Sequence, residues 1–407
     1  MSAATIASAR TLAERTAQWA AIALGISIPI SVALDNVLLV VVLAGWLLAG
    51  NFRETLRAVE RSRTVLAAIV LYGLLLAGTL YGERDPGDAL WVLVKYLNLL
   101  FIPLFAVLLR AAPLRRLALQ GFAASLGLVL LLSYLVAAGV LFPGWMVQDD
   151  AANPVVFKRY LTHGILLAFA AFLFAELALA ASTPRQRALW AVAALLAAAN
   201  VMLMVQGRTG HLVLVVLALY LGYGWRRWRG LAIAAAAAAL TVAALTHIPG
   251  TFQERYGLTA GDRASSKASK GAQVSNQQRL DFYRASLAIM QEHPILGVGT
   301  GGFTRAYADK TRGTDAYQTR NPHNEYLHMA VQLGLVGLAA LLYLFWQHWR
   351  ESARLASPLE CHLARGLVLA IAAGCLFNSL LLDHTEGLLY TWLTGLLFGG
   401  LKSGRDA

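Results

Sequence analysis

The sequence predicts an all-α integral membrane protein with about twelve transmembrane helices. Of its 407 residues, 58% are hydrophobic and only 14% are charged. The mean hydropathy is +0.58, and soluble domains carry about 25% charged residues. Many apolar runs approach the roughly 20 residues that an α-helix needs to cross about 30 Å of hydrocarbon. Together these observations exclude an ordinary soluble protein.

Twelve apolar runs are predicted to span the membrane, and polar or charged residues separate them. They cover residues 19–34, 36–50, 64–81, 89–109, 117–141, 160–181, 188–205, 211–224, 230–247, 323–346, 362–382 and 385–401. The first two runs and the last two are close together in sequence. We therefore expect tight turns at Asp35-Asn36 and Asp383-His384.

Lysine and arginine placement orients the chain. With the N-terminus in the cytoplasm, the inner loops hold repeated arginine clusters, such as Arg226 and Arg227, and the short outer loops hold few basic residues. This is the positive-inside pattern, and it places both termini in the cytoplasm. The expected organisation is residues 1–247 with spans one to nine, a large outer loop at 248–321, and residues 322–407 with spans ten to twelve.

The net charge of +12 does not indicate a nucleic-acid partner. Most of it belongs to the inner charge band, where basic side chains meet the anionic headgroups of membrane lipids. Cys361 and Cys375 are fourteen residues apart on one predicted helix, or about 21 Å at 1.5 Å per residue. We therefore expect neither a disulfide nor a metal site between them.

The large outer loop has three predicted parts. Residues 261–276 are small and polar, so we expect them to be mobile. An amphipathic helix is predicted from Gln277 to Gln291, ended by His293-Pro294, with an apolar face that could lie on the bilayer. That face consists of Leu280, Tyr283, Leu287 and Met290. The glycines of Gly297-Val-Gly-Thr-Gly-Gly302 favour a tight turn, and an anion cradle of backbone N–H groups is the alternative.

A histidine is predicted at the mouth of the tenth span. Asn321 suits the N-cap of that helix and Pro322 its first position, which places His323 in the first turn. The unpaired N–H groups and the macrodipole there disfavour protonation. A neutral imidazole near pH 7 can act as a general base, so His323 is the candidate catalytic residue. The alternative is an interfacial histidine that only hydrogen-bonds its own helix.

Arginines near the outer boundary are candidates for binding an anionic, lipid-borne substrate. Arg208 lies in a short outer turn and Arg279 on the amphipathic helix. The further candidate residues are Arg159, Arg284, Arg320, Asn324 and Asp383. For Arg208 the alternative is a headgroup anchor, and for Arg284 an ion pair with Asp281 three residues away.

Lys95 and Asp383 each have two possible roles. Lys95 lies inside the fourth span, where it is either functional or a lysine that snorkels to the interface. Asp383 either holds an arginine or the acceptor, or has an ordinary role in its turn. No other pattern in the sequence decides between these roles.

These residues resemble the O-antigen ligase family. His323-Asn324, then nine residues, then Gly334-Leu-Val-Gly337 is similar to its signature of histidine, a small polar residue, nine of any kind and paired glycines. Arg279-Leu-Asp-Phe-Tyr, followed by His293-Pro-Ile-Leu-Gly-Val-Gly299, is similar to its arginine helix and turn. Gln206-Gly-Arg208-Thr-Gly is similar to its arginine turn, although the family more often has a serine-rich sequence there.

The resemblance implies a membrane-embedded glycosyltransferase of the GT-C type. It implies transfer of a glycan from undecaprenyl pyrophosphate to lipid A-core at the periplasmic face of the bacterial inner membrane, without metal, nucleotide or other cofactor. On this hypothesis His323 deprotonates the acceptor hydroxyl for a single, inverting attack at C1. The arginines take up the charge of the leaving pyrophosphate, because their planar fork suits phosphate oxygens.

Three alternatives stay open. An O-antigen polymerase, or another lipid-linked glycan transferase, shares the superfamily and the outer arginines. An anion or lipid transporter is a different class, but transporters typically place charged segments near the midplane of the membrane. A magnesium site formed by Asp35, Glu325 and Asp383 is the alternative to neutralisation by arginine alone.

Overall fold

The structure is a computed structural model that describes residues 3–82, 85–141, 144, 146, 153–247 and 267–401. Its regular structure within these residues is helical, with no strand, so the predicted all-α class is confirmed. The helices are α1 (Ala3–Ser27), α2 (Val32–Ala49), α3 (Phe52–Arg61), α4 (Arg63–Ala77), α5 (Pro86–Tyr96), α6 (Ile102–Leu108), α7 (Ala112–Ala137), α8 (Tyr160–Ala180), α9 (Pro184–Ala199), α10 (Arg208–His247), α11 (Lys267–Glu292), α12 (Phe303–Lys310), α13 (Glu325–Ser352), α14 (Pro358–Gly374) and α15 (His384–Phe398). Short 3₁₀ turns lie at Gly78–Leu80 and Leu97–Phe101, and a π-helical turn lies at Asn200–Met204.

Eight helical segments of the described chain are long and apolar enough to cross a membrane. They cover nine of the twelve predicted runs, because α10 breaks at Arg226 and Arg227 and so contains both 211–224 and 230–247. The remaining three runs correspond to α1, α14 and α15. Of these, α14 has 17 residues and α15 has 15, fewer than the usual 20 or so. A multi-pass membrane protein is therefore confirmed, and the count of twelve stays a prediction.

Helix α15 lies in the centre of the bundle. All of its residues from Thr385 to Phe398 are buried. The indole of Trp392 donates a hydrogen bond to the carbonyl of Ala21 at 2.8 Å, which ties α15 to α1. Burial and this hydrogen bond hold α15 in place, and its first turn borders the functional site described in the next subsection.

The two turns predicted to be tight are placed differently. The α1–α2 turn lies at residues 28–31 rather than at Asp35-Asn36, because the Ser31 side chain accepts the Leu34 N–H at 3.3 Å and starts the helix earlier. Asp35 therefore lies in the first turn of α2, fully buried. The connection between α14 and α15 is also longer than a tight turn, since it spans residues 375–383.

Helix α11 is longer than predicted and docks by a different face. It begins at Lys267 rather than Gln277 and ends at Glu292, just before His293-Pro294 as predicted. Its buried residues Phe282, Ala285 and Ile289 pack against Phe303, Tyr307 and Val331 of α12 and α13. Leu280 and Leu287, from the face predicted to lie on the bilayer, are about half exposed. Of the segment 261–276 that was predicted to be mobile, residues 267–276 form the start of α11, so that prediction is wrong for them. Residues 248–266 lie outside the described residues.

The Gly297–Gly302 turn inserts into a break in α13. The backbone of α13 leaves the helical conformation at Gly334, where φ is +62°. Four hydrogen bonds of 2.8–3.3 Å bridge the two segments, from the N–H groups of Val298, Gly299, Leu335 and Val336 to the carbonyls of Val331, Gln332, Pro294 and Ile295 respectively. The residues that flank the break therefore bond to the loop instead of to their own helix.

The backbone N–H groups of the same turn bond to acceptors within the protein. The Thr300 N–H bonds to the Gly78 carbonyl at 2.9 Å, and the Gly301 N–H bonds to the Gln332 side chain at 2.7 Å. The Gly302 N–H bonds to the Gly299 carbonyl at 3.0 Å. The alternative of an anion cradle is therefore wrong, because these donors already have acceptors. The predicted tight turn is confirmed.

Candidate functional site

A polar cavity of about 470 Å³ lies at one end of the bundle. It is bordered by the starts of α8, α10 and α15, by α11, and by the segment before α13. Its lining arginine, histidine, aspartate and glutamate side chains are Arg159, Arg208, Arg279, His323, Asp383, His384 and Glu386. We call this the polar cavity.

The helix that follows His323 begins later than predicted. Asn324 is its N-cap, because the Asn324 side chain accepts the Leu327 N–H at 3.0 Å. Asn321 has a different role: its side-chain oxygen accepts the His323 N–H at 2.8 Å and the Ser379 hydroxyl at 2.7 Å. The predicted Asn321 cap is thus wrong, and His323 precedes the helix with φ of +54°.

His323 is nevertheless held in a setting that favours the neutral imidazole. Its ring lies 5.8 Å from that of Phe282, centre to centre. Burial lowers the pKa of His323 below its ordinary value, and the nearby Arg279 guanidinium lowers it further. The neutral state predicted from the helix dipole is therefore favoured by a different cause, namely desolvation and a neighbouring cation. A neutral imidazole that lines a cavity can accept a proton.

Close backbone contact positions Arg208. It begins α10, and Gly210 in the same turn packs directly on Gly164 of α8. A Cβ atom on Gly210 would lie 2.9 Å from the Gly164 backbone carbon, so any larger residue would force the two helices apart. Arg208 also donates a hydrogen bond to the Asn276 side chain of α11. The start of α10 is thus held against both α8 and α11.

A second cavity adjoins the polar cavity and shares Arg208, Thr209 and Arg279 with it. Its volume is about 660 Å³. Its other lining residues are mostly apolar: Met202, His211, Leu212, Val215, Val242, Thr246, Asn276, Leu280, Tyr283 and Phe377. We call this the apolar groove. Two arginines therefore lie on the boundary between a polar space and an apolar one.

The part of the polar cavity that is lined by the start of α15 carries its acidic residues. Asp383 is the N-cap residue of α15, and His384 and Glu386 lie in its first turn. Burial raises the pKa of Asp383 to about 6, an effect that the positive charge of Lys95 opposes. Lys95 itself lies 5.9 Å from the centre of the Trp91 ring. The polar cavity thus has a basic half and an acidic half.

A buried ionic cluster contacts the first turn of α15 next to this acidic half. The Lys158 Nζ lies 3.9 Å from the Asp35 carboxylate and donates to the Thr385 hydroxyl at 3.3 Å. The His384 Nε2 lies 3.6 Å from the same carboxylate. Burial lowers the pKa of Lys158, although the Asp35 charge opposes that shift. The cluster joins α2, the segment before α8 and the first turn of α15.

Three of the predicted site residues do not line the polar cavity. Arg284 is exposed and lies 4.0 Å from Asp281, the ion pair considered as its alternative role. Arg320 pairs with Asp88 at 3.2 Å. Asn324 caps α13 and also donates to the Leu376 carbonyl at 2.9 Å. In contrast, Arg159, Arg208, Arg279, His323 and Asp383 line it together.

His384 and Glu386 line the polar cavity but were not among the predicted site residues. The available signal was Asp383-His384-Thr385-Glu386, which places three titratable residues within four at the start of an apolar run. Titratable groups at such positions are functional candidates by default. Among the residues considered for magnesium, Glu325 accepts from the Tyr96 hydroxyl and the Leu381 N–H. Within the described part of the chain, no three His, Cys, Asp or Glu side chains are grouped so as to hold a metal ion.

Part of the chain matches a known family model. Residues 193–342 match a family model described as O-antigen ligase. The matched region contains Arg208, Arg279, His323 and the break at Gly334. A comparison with curated proteins finds no match. The resemblance recognised in the sequence is thus confirmed by the similarity of residues 193–342 to the O-antigen ligase family.

Proposed function

We propose that the protein transfers a glycan from undecaprenyl pyrophosphate to a sugar of lipid A-core. The family match supports a ligase-type or polymerase-type activity on a lipid-linked glycan. One observation carries the finer proposal: Arg208 and Arg279 line both the polar cavity and the apolar groove. A polyprenyl pyrophosphate glycan has the same order of parts, because its charged group lies between an apolar chain and a polar sugar.

The donor is proposed to lie across the boundary of the two cavities. Its first isoprene units occupy the apolar groove beside Leu212, Val215 and Leu280. Its pyrophosphate lies at Arg208 and Arg279, whose planar forks match phosphate oxygens. Its sugar enters the polar cavity, where His323 lies. This placement uses the apolar lining, the shared arginines and the histidine without moving any helix.

The proposed reaction is a single displacement at C1 of the donor sugar. His323 accepts the proton of the acceptor hydroxyl, and the acceptor oxygen attacks C1. The bond between C1 and the pyrophosphate oxygen breaks, and its electron pair leaves with the pyrophosphate. Arg208 and Arg279 stabilise the charge that develops there, with Arg159 at the same basic half. One displacement inverts the anomeric centre.

The proposal includes a membrane location. We infer a multi-pass protein of the bacterial inner membrane with the polar cavity facing the periplasm and both termini in the cytoplasm. The arginine clusters predicted on the inner side support this orientation. In this arrangement the segment at 248–321 is periplasmic, and the GT-C type remains part of the proposal.

Reconstitution of the full chain tests the proposal. Purified protein in lipid vesicles is supplied with undecaprenyl-pyrophosphate glycan and lipid A-core, and the products are identified by mass spectrometry. We expect glycosylated lipid A-core with an inverted anomeric centre, and no product with the His323→Ala variant. Lengthened donor glycan without transfer to lipid A-core would indicate a polymerase instead. Movement of the donor across the vesicle membrane without new glycosidic bonds would indicate a transporter.

A further inference from the structure

The acidic half of the polar cavity has the wrong charge for the pyrophosphate. Asp383 and Glu386 line it from the start of α15, whereas the cavity arginines lie at the starts of α8 and α10 and on α11. Carboxylates repel an anionic leaving group, and the repulsion is stronger in a partly desolvated site than in water. The acidic half therefore needs a different occupant, one that donates hydrogen bonds.

Glu386 has an unused oxygen in this half. The residue is only 1% exposed and lines the polar cavity. Its Oε1 atom is buried and has no hydrogen-bond partner within the described residues. Leaving a buried carboxylate oxygen unpaired is costly, so such atoms in native proteins are usually satisfied by a partner or a ligand. The Glu386 Oε1 is thus an unsatisfied acceptor on a side chain that lines the cavity, and a donor bound there could satisfy it.

The turn that carries Glu386 is fixed in place. Lys158 donates to Thr385 at 3.3 Å, and both Lys158 and His384 lie within 3.9 Å of the buried Asp35 carboxylate. Residues from Thr385 onward are buried in the centre of the bundle. A rigid turn presents its acceptor atom at a defined position, which is what recognition of one hydroxyl among several requires.

We propose that the first turn of α15 is the acceptor-sugar subsite, and that Glu386 accepts a hydrogen bond from a hydroxyl of that sugar. The proposal rests on the proposed function, because it assigns the second substrate of the same reaction. A neutral sugar offers hydroxyl donors and carries no charge for the carboxylates to repel. A carboxyl group keeps the capacity to accept a hydrogen bond from a hydroxyl in both its ionised and its protonated form.

Because basic and acidic residues line different parts of the polar cavity, each substrate is assigned to a different part of it. The arginines hold the anionic donor, and the acidic half excludes it and holds the acceptor sugar. His323 lines the same cavity as both halves. Glu386 binds one hydroxyl of the sugar ring, and this places a neighbouring hydroxyl beside His323. The position of Glu386 thus determines which hydroxyl is deprotonated. Glu386 is therefore a specificity-determining residue.

The test compares Glu386→Gln and Glu386→Ala with the unmodified full chain. Acceptor KM is measured with lipid A-core, and donor affinity is measured with undecaprenyl pyrophosphate alone. Removing a hydrogen bond to a charged group should raise acceptor KM about tenfold to a hundredfold in Glu386→Ala. Glu386→Gln keeps the side-chain volume and a weaker acceptor, so about a fivefold to tenfold rise is expected. Donor affinity should not change in either variant.

Glu176→Gln is the matched control. Glu176 is 5% exposed, and it lies sixteen residues along α8 from Tyr160, or about 24 Å from the cavity end of that helix. It is thus a similarly buried carboxyl at the other end of the bundle. We expect this control to leave both acceptor KM and donor affinity unchanged, with thermal unfolding measured for all three variants.

Three outcomes overturn the inference. They are an unchanged acceptor KM in folded Glu386→Gln, a loss of donor affinity without a change in acceptor KM, and an equal rise of acceptor KM in Glu176→Gln. Binding of lipid A-core without donor separates this inference from the proposed function. If the unmodified chain transfers nothing but binds lipid A-core more tightly than the variants do, the proposed reaction fails and the subsite stands.

Discussion

Replacing Arg279 with glutamine should change two measurable properties at once. Arg279 lines both the polar cavity and the apolar groove, so it is proposed to contact the leaving pyrophosphate. Loss of one preorganised donor at a developing charge typically lowers kcat about 10²-fold to 10³-fold, or roughly 3–4 kcal/mol. We expect a loss of that size for Arg279→Gln. Arg279→Lys should also be impaired, because a point charge cannot form two parallel bonds to phosphate.

The second property is the pH dependence of the residual activity. In the unmodified protein, burial and the Arg279 charge lower the pKa of His323. The neutral imidazole is the active form, so the rate should fall only when the pH drops below that lowered pKa. Removing the cation lets the pKa rise toward the ordinary value of about 6.5. The acid limb of kcat/KM should therefore move to higher pH in Arg279→Gln and stay in place in Arg279→Lys.

Arg284→Gln is the control for both measurements. It removes the same charge from the same helix, but Arg284 is exposed, pairs with Asp281 and lines neither cavity. Its rate and its acid limb should match those of the unmodified protein. The reasoning is refuted if Arg279→Gln transfers glycan at the parental rate, or if its acid limb stays in place or moves to lower pH.

Three further predictions concern the base, the leaving group and the fold. His323→Ala should lower the transfer rate about 10²-fold to 10⁴-fold without changing thermal unfolding, and near-normal transfer by the folded variant would remove the proposed base. Transfer should continue with EDTA and without nucleotide, whereas strict loss restored by magnesium or manganese would replace the arginine-only mechanism. Gly301→Ala should destabilise the protein by about 2 kcal/mol or more in thermal unfolding, because Gly301 has φ of +83° and an added Cβ would overlap the Ala89 backbone. Gly313→Ala, with φ of +78° and open space around it, should cost less and is the control.

The spans could be predicted because their signal is local. Hydrocarbon thickness sets the length of an apolar run, and no tertiary contact is needed to recognise one. The start of α13 is different, because Asn321 and Asn324 are both good N-caps. The choice depends on Ser379, which bonds to Asn321, and on the Cys375 carbonyl, which accepts the Glu325 N–H at 2.9 Å. These partners come from another part of the chain, so the sequence alone favoured the wrong asparagine.

The two halves of the polar cavity also differ in how far the sequence predicts them. Arg208, Arg279 and His323 belong to motifs that the sequence already linked, so the basic half was predicted. Glu386 and its support depend on α2 and α15 meeting in the bundle, although Asp35 and Glu386 are 351 residues apart. The docking face of α11 was also missed, because Leu280 fits the apolar period as well as Phe282 fits the true interface. Periodicity identifies a helix but cannot choose between neighbouring stripes on it.

The break in α13 has a consequence for how the chain enters the membrane. Four backbone groups that flank Gly334 are paired with residues 294–299 rather than with their own helix. In hydrocarbon, each backbone group left without a partner costs several kcal/mol. A lone α13 leaving the insertion machinery in its final shape would carry that penalty until the preceding segment docked. We therefore expect integration of α13 and docking of residues 294–302 to be coupled during biogenesis, with the helix adopting its broken form only when the segment docks.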